Sequence, residues 1–598
     1  MSGFAGVFHL DGAPVDRAWL ETLADCLSFR GPDCTQIWVS GSAGLCHTLF
    51  RTSAETDGRP QITSLDGNAW IAGDIRIDDR ETLFAKLSLS PDTLKTCCST
   101  ELVLHAYSKW GEDCVEHLLG DFSFVIWDAR RQLVFCARDQ LGIRPLFYAR
   151  VGHFLIVSNT LDCIRQIPIV SDKLNEHAIG DFLLVGENKY PAATFFTAIR
   201  RLPVAYRLVA DIGDIRTEKY WTLPIDEPVY YKQPGDYVER FRDLLRASVR
   251  DRLPDGPLGI FMSGGLDSPA VAATAVELGA NTSAFTSVYE RLIPDEEKYY
   301  AGLVANHLGI PIRYNVRDDE PWAWDTNSIP IHTPEPSNDP ISLRASRDYH
   351  REISEHARVF FLGDGPDAAL FYEWKPHIRW LFGQGKWDRL CQDVFTDFAL
   401  SPRVPLLHRL PRMWRERLKN KPDWYEPSLP KWINPNFEAH LGLRERWKDV
   451  SKWVPSKHPT REIGYACFAC DFPMGGNDGW DAGVTGARAD FLHPLWDLRL
   501  LRFLLAVPTM PWCRNKYLVR ESLRDLIPEI VRKRPKSPLS GFPDLVRARN
   551  VEPPKLKMVE GLEDYVNCRS LPTWPGRNRE EFDMLKRVLG LHYWLLGL

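Results

Sequence analysis

The sequence lacks any apolar run long enough to cross a membrane. Its most apolar late stretch, residues 498–507, contains Arg499 and Arg502 and falls well short of the ~20 residues that a spanning helix needs. The first ten residues have neither a basic start nor a long apolar segment, so the sequence predicts no secretory signal. We therefore expect a cytoplasmic protein with no membrane partner.

An excess of positive charge is also absent. The chain has 74 Lys and Arg against 79 Asp and Glu, for a net charge of -5, whereas nucleic-acid-binding domains usually carry a basic face. No nucleic-acid partner is expected. The 13 cysteines are odd in number and irregularly spaced, which predicts reduced thiols rather than a disulfide framework.

The pattern of apolar segments divides the chain in two. Residues 1–215 contain short strand-like runs at 69–75, 122–128, 133–137 and 154–158, interrupted by helical patterns at 17–28 and 101–110. Strands packed with a few helices predict an α+β sandwich. Residues 216–236 hold Pro224, Pro228 and Pro234 with little periodicity, which is typical of a linker.

The second half, residues 237–598, alternates strands with helices. Strands are predicted at 258–262, 283–289, 312–316 and 359–362, and helices at 237–252, 270–278 and 296–308. This alternation favours a doubly wound α/β domain with a parallel sheet. Beyond residue 349 the pattern is mostly helical, so we expect a helical C-terminal part.

The clearest motif lies between the first of these strands and its helix. Two adjacent glycines let the backbone turn tightly, and the helix N-terminus presents free N–H groups to an anion. The motif lacks the lysine of the common phosphate loop and carries an aspartate instead, which calls for a metal such as Mg²⁺ between carboxylate and phosphates. We therefore predict that the phosphates of a nucleotide bind at the nucleotide loop, Ser263-Gly264-Gly265-Leu266-Asp267-Ser268.

A second loop follows the predicted strand at 359–362. It contains Gly363, Asp364 and Asp367, and it should lie at the same sheet edge as the nucleotide loop. Asp367 is the candidate second ligand of Mg²⁺, beside Asp267. Further along, Lys516 opens an amphipathic helix. By itself it would be taken for a surface lysine.

These motifs resemble the asparagine synthetase superfamily across nearly the whole chain. Residues 263–268 are similar to its synthetase nucleotide loop, residues 363–367 to its S-G-E-G-x-D segment, and residues 516–521 to its late lysine helix. The resemblance implies an ATP-pyrophosphatase domain at 237–598 and a catalytic role for Lys516. Four N-terminal segments resemble its glutamine-hydrolysing domain, which implies an Ntn-hydrolase-like sandwich at 1–215: Gly3-Phe4-Ala5-Gly6-Val7-Phe8, Arg30-Gly31-Pro32-Asp33, Gly120-Asp121-Phe122-Ser123-Phe124 and residues 138–146.

The N-terminal half departs from this pattern at four functional positions. Where glutamine-dependent members have a cysteine nucleophile, this chain has a hydroxyl, which is far less nucleophilic at neutral pH. The anion-binding arginine, the oxyanion-stabilising asparagine and the amine-binding aspartate are also replaced. We therefore expect a domain that keeps its fold without glutaminase chemistry; the substituted positions are Ser2, Leu49, Ala72 and Ser99.

The amine is thus not expected to come from glutamine. Two branches of the superfamily fit: beta-lactam synthetases, and lasso-peptide macrolactam synthetases, which join a peptide's N-terminal amine to an Asp or Glu side chain. Asp364 favours the second, because beta-lactam synthetases have a tyrosine there. Nine tryptophans between Trp374 and Trp480 suit either a helical core or an aromatic groove for a peptide.

The favoured interpretation is therefore a lasso cyclase that uses ATP and Mg²⁺ and forms AMP and pyrophosphate. Asp364 is the candidate base for the amine's proton. The precursor peptide is the expected partner, with a leader-peptide protease and a leader-binding protein as further ones. An ammonia-dependent asparagine synthetase remains an alternative. So does a non-catalytic peptide-binding scaffold.

Overall fold

The computed structural model describes residues 1–53, 61–90, 93, 97–320, 322, 332, 335–400, 429–450, 456–470, 479–536, 539, 541–553 and 561–598. Part of the tryptophan-rich stretch lies outside these ranges. All 13 cysteines are free thiols. Across the described ranges, no helix has both the length and the apolarity that crossing a membrane would require.

The N-terminal half consists of two antiparallel six-stranded sheets. One sheet has the order β10-β8-β9-β1-β3-β2 and the other β12-β11-β7-β6-β5-β4. The strands are β1 (Gly3–His9), β2 (Cys34–Ser40), β3 (Ala43–Leu49), β4 (Thr63–Ser64), β5 (Ala69–Ile77), β6 (Gly120–Asp128), β7 (Leu133–Arg138), β8 (Phe147–Val151), β9 (Phe154–Ser158), β10 (Arg200–Arg201), β11 (Tyr206–Ala210) and β12 (Ile215–Lys219).

Strand β6 shows why the sheets pack as layers. Successive side chains of a strand point to opposite faces. Phe122 and Phe124 join the core under the helix Ser99–Trp110, while Val125 and Trp127 join the core between the two sheets. Helices therefore cover the outer faces of a sheet pair, as the α+β prediction requires. The helices of this half are Arg17–Leu27, Arg80–Leu87, Ser99–Trp110, Leu161–Arg165 and Glu176–Val185.

The N-terminal sheet continues into the range that the sequence assigns to the linker. Strand β12 pairs with β11 from Tyr206↔Lys219 to Ala210↔Ile215. The following residues have no regular structure until the helix Pro234–Arg250 begins.

The second half is built on a five-stranded parallel sheet with the order β15-β14-β13-β16-β17. After β13, the chain adds β14 and β15 on one side of this strand and then β16 and β17 on the other side. The direction in which strands are added therefore reverses between β13 and β16. Open α/β sheets bind ligands at such a switch point, beyond the carboxyl ends of the strands. The strands are β13 (Leu258–Phe261), β14 (Thr282–Val288), β15 (Ile312–Val316), β16 (Val359–Phe361) and β17 (Asp490–Leu492).

The sequence analysis did not find β17, which has only three residues and lies in a largely helical region. The helices of this half are Pro234–Arg250, Asp267–Glu277, Glu297–Leu308, Leu343–Ser354, Pro366–Ala369, Trp374–Gly383, Trp387–Leu400, Pro435–Leu441, Leu443–Val450, Glu462–Phe468, Ala482–Thr485, Leu498–Ala506, Tyr517–Ser522, Glu529–Arg532, Pro543–Ala548, Leu562–Tyr565 and Arg579–Leu596.

Buried ion pairs join the two halves. The guanidinium of Arg144 makes two hydrogen bonds of 2.9 Å to the carboxylate of Asp490, at the start of β17. Arg30 pairs with Asp481 in the same way. Burial raises the pKa of Asp490, but Arg144 lowers it by more, so this carboxyl stays ionised far below its usual range.

Candidate active site

The nucleotide loop lies at the switch point. It follows β13 directly, and the helix Asp267–Glu277 begins within it. The Ser263 N–H donates to the hydroxyl of Ser268 at 2.9 Å, which closes the loop. Ser263 and Gly265 are exposed, whereas the side chain of Leu266 is buried in the core of this half. Leu266, one of the six predicted nucleotide-binding residues, can therefore offer a ligand only its backbone.

The second loop lies against the first. It follows β16, the neighbour of β13 on the other side of the switch point. A Cβ atom on Gly363 would be 2.4 Å from the Cβ of Ser268, so only glycine lets the two loops approach this closely. Gly365 has a φ of +137°, a conformation that also favours glycine.

Lys516 connects the two predicted metal-binding carboxylates. Its ammonium contacts Asp267, and it lies 2.6 Å from Asp367 Oδ1. The three residues are far apart in sequence. Their convergence on one nitrogen therefore places the carboxylates of both loops and the predicted catalytic lysine in a single site.

The backbone around Lys516 is strained. Asn515 and Lys516 have φ values of +49° and +55°, in the left-handed region that non-glycine residues rarely adopt. Such conformations cost on the order of 1–3 kcal/mol each and occur mainly at functional sites, where the surrounding structure holds them in place. The helix Tyr517–Ser522 begins immediately afterwards and buries Leu518 and Val519 in the core.

The two carboxylates respond differently to their surroundings. Burial raises the pKa of Asp267, since only 18% of its side chain is exposed. The Lys516 ammonium lowers this pKa, but by less than burial raises it. Burial raises the pKa of Asp367 less than Lys516 and Lys536 lower it, so this 55% exposed carboxyl stays ionised below its usual range. Partial burial and the neighbouring Asp367 raise the pKa of Asp364, which suits a proton acceptor.

A second lysine reaches the same carboxylate. Lys536 Nζ lies 3.2 Å from Asp367 Oδ2, and the side chain is 78% exposed. The sequence analysis did not find Lys536, because it follows the helix Glu529–Arg532 in a segment with no local motif. The site thus holds two ammonium groups on opposite oxygens of one carboxylate.

The donor set fits a hard divalent cation. Mg²⁺ prefers carboxylate oxygens and phosphates. Asp267 and Asp367 supply two carboxylates that lie close enough to contact the same ammonium group. Asp267 Oδ1 is buried and has no hydrogen-bond partner within the described chain, which is unusual for a carboxylate oxygen unless another ligand completes its shell. Asp267 and Asp367 are the residues that would hold the metal.

The residue that would be the nucleophile in the N-terminal half is held by other groups. The Ser2 hydroxyl accepts a hydrogen bond of 3.1 Å from the Phe50 N–H. The Ser2 N–H donates to Asp74 Oδ1 at 3.3 Å, and the other oxygen of Asp74 lies 3.5 Å from Arg144 Nε. The site of the nucleophile therefore adjoins the buried ion pairs between the two halves.

The other three substituted positions carry side chains unlike those of the glutamine-hydrolysing pattern. The side chains of Leu49 and Ala72 are buried and apolar. Ser99 begins the helix Ser99–Trp110, and its hydroxyl accepts a hydrogen bond from Arg80 at 3.4 Å. None of these side chains carries the charge or amide group that the resemblance would call for.

Comparison with known proteins agrees with both halves. A model of the glutamine amidotransferase domain matches residues 1–221, and a model of asparagine synthase matches residues 240–553, more than half of the chain. Two relatives in Bacillus subtilis (strain 168) span most of it. The glutamine-hydrolyzing asparagine synthetase 3 is 27% identical over 88% of this chain and 84% of its own length. The glutamine-hydrolyzing asparagine synthetase 1 is 26% identical over 92% of this chain and 87% of its own length.

A third relative, Amidase chyE of Penicillium rubens, is 24% identical over 58% of this chain and 54% of its own length. The matched asparagine synthase model and the relatives that span most of the chain identify an ATP-dependent carbon–nitrogen ligase rather than a non-catalytic scaffold. The chain belongs to the asparagine synthase family.

Proposed function

We propose that the enzyme activates a side-chain carboxylate of a lasso precursor peptide as an acyl-adenylate and joins it to the peptide's N-terminal amine. The observation that carries this proposal is the replacement of the nucleophile in the N-terminal half. The residue at the position of the nucleophile is Ser2, and its hydroxyl and amide both have intramolecular partners. The four substituted N-terminal positions speak against glutamine hydrolysis, while the synthetase half keeps its charged residues, so the proposed amine comes from another source.

The proposed reaction has two steps. ATP binds at the nucleotide loop, the substrate carboxylate attacks the α-phosphorus, and pyrophosphate leaves. The amine then attacks the acyl carbon, AMP leaves, and Asp364 accepts the amine's proton. Its raised pKa makes it a better base than an ordinary carboxylate. Lys516 stabilises negative charge on the phosphates and on the tetrahedral oxyanion.

Asp267 and Asp367 would hold Mg²⁺ in this reaction. When bound, the metal neutralises charge on the phosphates and on the departing pyrophosphate. The role of the protein is to keep both carboxylates in place, which the contact of Gly363 with Ser268 and the shared contact with Lys516 support.

Ammonia-dependent formation of asparagine is the second candidate. The relatives named asparagine synthetases cover most of this chain, which favours it. A beta-lactam synthetase is less favoured, because the resemblance to that branch calls for a tyrosine where this chain has Asp364. The three candidates share the adenylation step and differ in the amine.

The test incubates the full chain with ATP, Mg²⁺ and a leader-free precursor peptide. A product lighter by one water, together with AMP and pyrophosphate, supports macrolactam formation. ADP and phosphate would refute adenylation. In a parallel incubation with aspartate and ammonia instead of the peptide, AMP with free asparagine, and no ring product in the first incubation, would keep adenylation and refute the macrolactam.

The same preparation tests the N-terminal half. We expect no glutamate release from glutamine above background, and no effect of Ser2→Ala on ring closure. Glutamate release that Ser2→Ala abolishes would contradict the proposed source of the amine.

A further inference from the structure

The backbone of Gly264, in the middle of the nucleotide loop, is held from two sides. Its N–H donates to the carboxylate of Glu297, the first residue of the helix Glu297–Leu308. Its C=O accepts a hydrogen bond of 3.0 Å from Arg534 Nη1. The same guanidinium nitrogen lies 3.4 Å from Glu297 Oε1, so the two side chains also pair with each other.

The residues around Gly264 leave no room for a side chain. A Cβ atom on Gly264 would be 2.6 Å from the Cβ of Tyr300 and 2.8 Å from Arg534 Nη1. The Arg534 guanidinium lies 3.8 Å from the centroid of the Tyr300 ring, and the Arg534 side chain is only 9% exposed. A charged side chain buried to this extent needs specific partners, and here those partners belong to the nucleotide loop and the helix beside it.

Arg534 also lies two residues before Lys536. Its backbone C=O accepts a hydrogen bond of 2.8 Å from Arg520 Nη2, which fixes the segment on its other side. Lys536 then reaches Asp367 in the second loop. The segment between Arg534 and Lys536 thus connects the nucleotide loop with the second loop, although neither residue belongs to either loop.

We propose that Glu297 and Arg534 are positioning residues of the adenylation site. They fix the nucleotide loop at Gly264, and through Arg534 they set the position of Lys536 against Asp367. Neither residue needs to contact ATP. Their effect on the reaction passes through the nucleotide loop and through Lys536. This role accounts for the buried Arg534 side chain binding the backbone C=O of Gly264. The inference rests on the proposed adenylation.

The first measurement is a double-mutant cycle on ATP–pyrophosphate exchange with substrate present. A displacement of about 1 Å in a reacting group can cost ~10²-fold, so Arg534→Ala should lower kcat by roughly 10- to 100-fold. Part of the effect of Arg534 passes through Lys536 and part through Gly264, so the double variant Arg534→Ala/Lys536→Ala should lose less than the product of the two single losses. Independent roles would give additive losses, and additivity would overturn the proposal.

The second measurement separates the two contacts with Gly264. Glu297→Ala removes the acceptor for its N–H and should raise the KM for ATP by about tenfold, the scale of one lost hydrogen bond to a charged group. Glu297→Gln keeps an acceptor oxygen and should restore most of the affinity. Equal effects of the two substitutions would contradict a role for the hydrogen bond.

The matched control is Glu296→Gln. Glu296 lies 3.3 Å from Arg534 Nη2 but is 66% exposed, and exposed ion pairs contribute little. It should leave kcat and KM within about twofold of the wild type, whereas a loss equal to that of Glu297→Ala would mean that any charge change near Arg534 suffices. If the wild type itself shows no exchange, the proposed function fails and the positioning roles fail with it. If it exchanges but the variants behave like it, only this inference fails.

Discussion

Replacing Lys516 by alanine removes the group on which the two loops converge. The ammonium contacts Asp267 and Asp367, and no other charged partner of Lys516 appears in the described structure. In the variant, two carboxylates lie in the site with one positive charge fewer beside them. The proposed ATP site extends over the whole nucleotide loop, so we expect turnover to fall more than ATP affinity.

The size of the loss follows from Coulomb's law. A unit of negative charge about 4–5 Å from the ammonium, at an effective dielectric of ~20, interacts with it by about 3–4 kcal/mol. Because about 1.36 kcal/mol corresponds to a tenfold change in rate, we expect a loss of roughly 10²–10³ in kcat. Removal of single oxyanion donors in other enzymes has effects of the same order.

The protonation state of Lys516 does not complicate this test. Burial lowers its pKa, but Asp267 and Asp367 raise it by more, so the folded value lies above the ordinary one. The stabilisation from these ion pairs is therefore complete below the unfolded pKa and is lost only as pH rises through the raised folded value. Activity should show no loss from Lys516 titration between about pH 7 and 9, well below the ordinary lysine pKa of ~10.4.

The assay follows formation of the ring product and of AMP, with ATP binding measured separately. Lys516→Arg should not restore turnover, because the planar guanidinium has a different reach and geometry. Lys533→Ala is the matched control, since Lys533 is exposed and pairs only with Glu529 among the described residues. A Lys516→Ala enzyme within about fivefold of the wild type would refute the electrostatic reasoning.

Asp267→Asn and Asp367→Asn should each abolish ATP–pyrophosphate exchange while circular dichroism stays unchanged; near-normal exchange by either variant would contradict its role at the metal. Asp364→Asn should keep the exchange and slow ring closure by roughly 10²-fold or more, the range of general bases, and equal loss of both reactions would exclude it as the base. Arg144→Ala should lower the free energy of unfolding by about 3–5 kcal/mol, because it leaves Asp490 buried without its partner; urea denaturation measures this, and a change under about 1 kcal/mol would show that the buried pair contributes little.

Much of the fold was predictable because its strands are regular. Strands β5, β6, β7 and β9 lie within two residues of the predicted ranges, since the short apolar runs are bounded by turn residues. The parallel sheet followed from the alternation of strands and helices, and the structure confirms it. Strand β17 could not be predicted, because three residues carry no periodicity and the pairing with β16 is set by tertiary structure.

Some residues of the candidate site could also be predicted from the sequence, and others could not. The nucleotide loop was visible because two glycines between a strand and a helix form a local pattern. Lys516 was recognised only through the family resemblance. Glu297, Arg534 and Lys536 were missed because each acts on a loop that is distant in sequence, so no local pattern marks them.

The buried ion pairs also connect the N-terminal half with the second loop of the synthetase half. Arg144 holds Asp490 at the start of β17, and Asp490 pairs in register with Val359 at the start of β16. Strand β16 leads directly into the second loop. A chain of contacts therefore runs from the N-terminal half to the loop that carries Asp364 and Asp367. Removing one partner of such a buried pair costs more than the pair contributes, so we expect substitution of Arg144 to destabilise the protein more than substitution of Ser2.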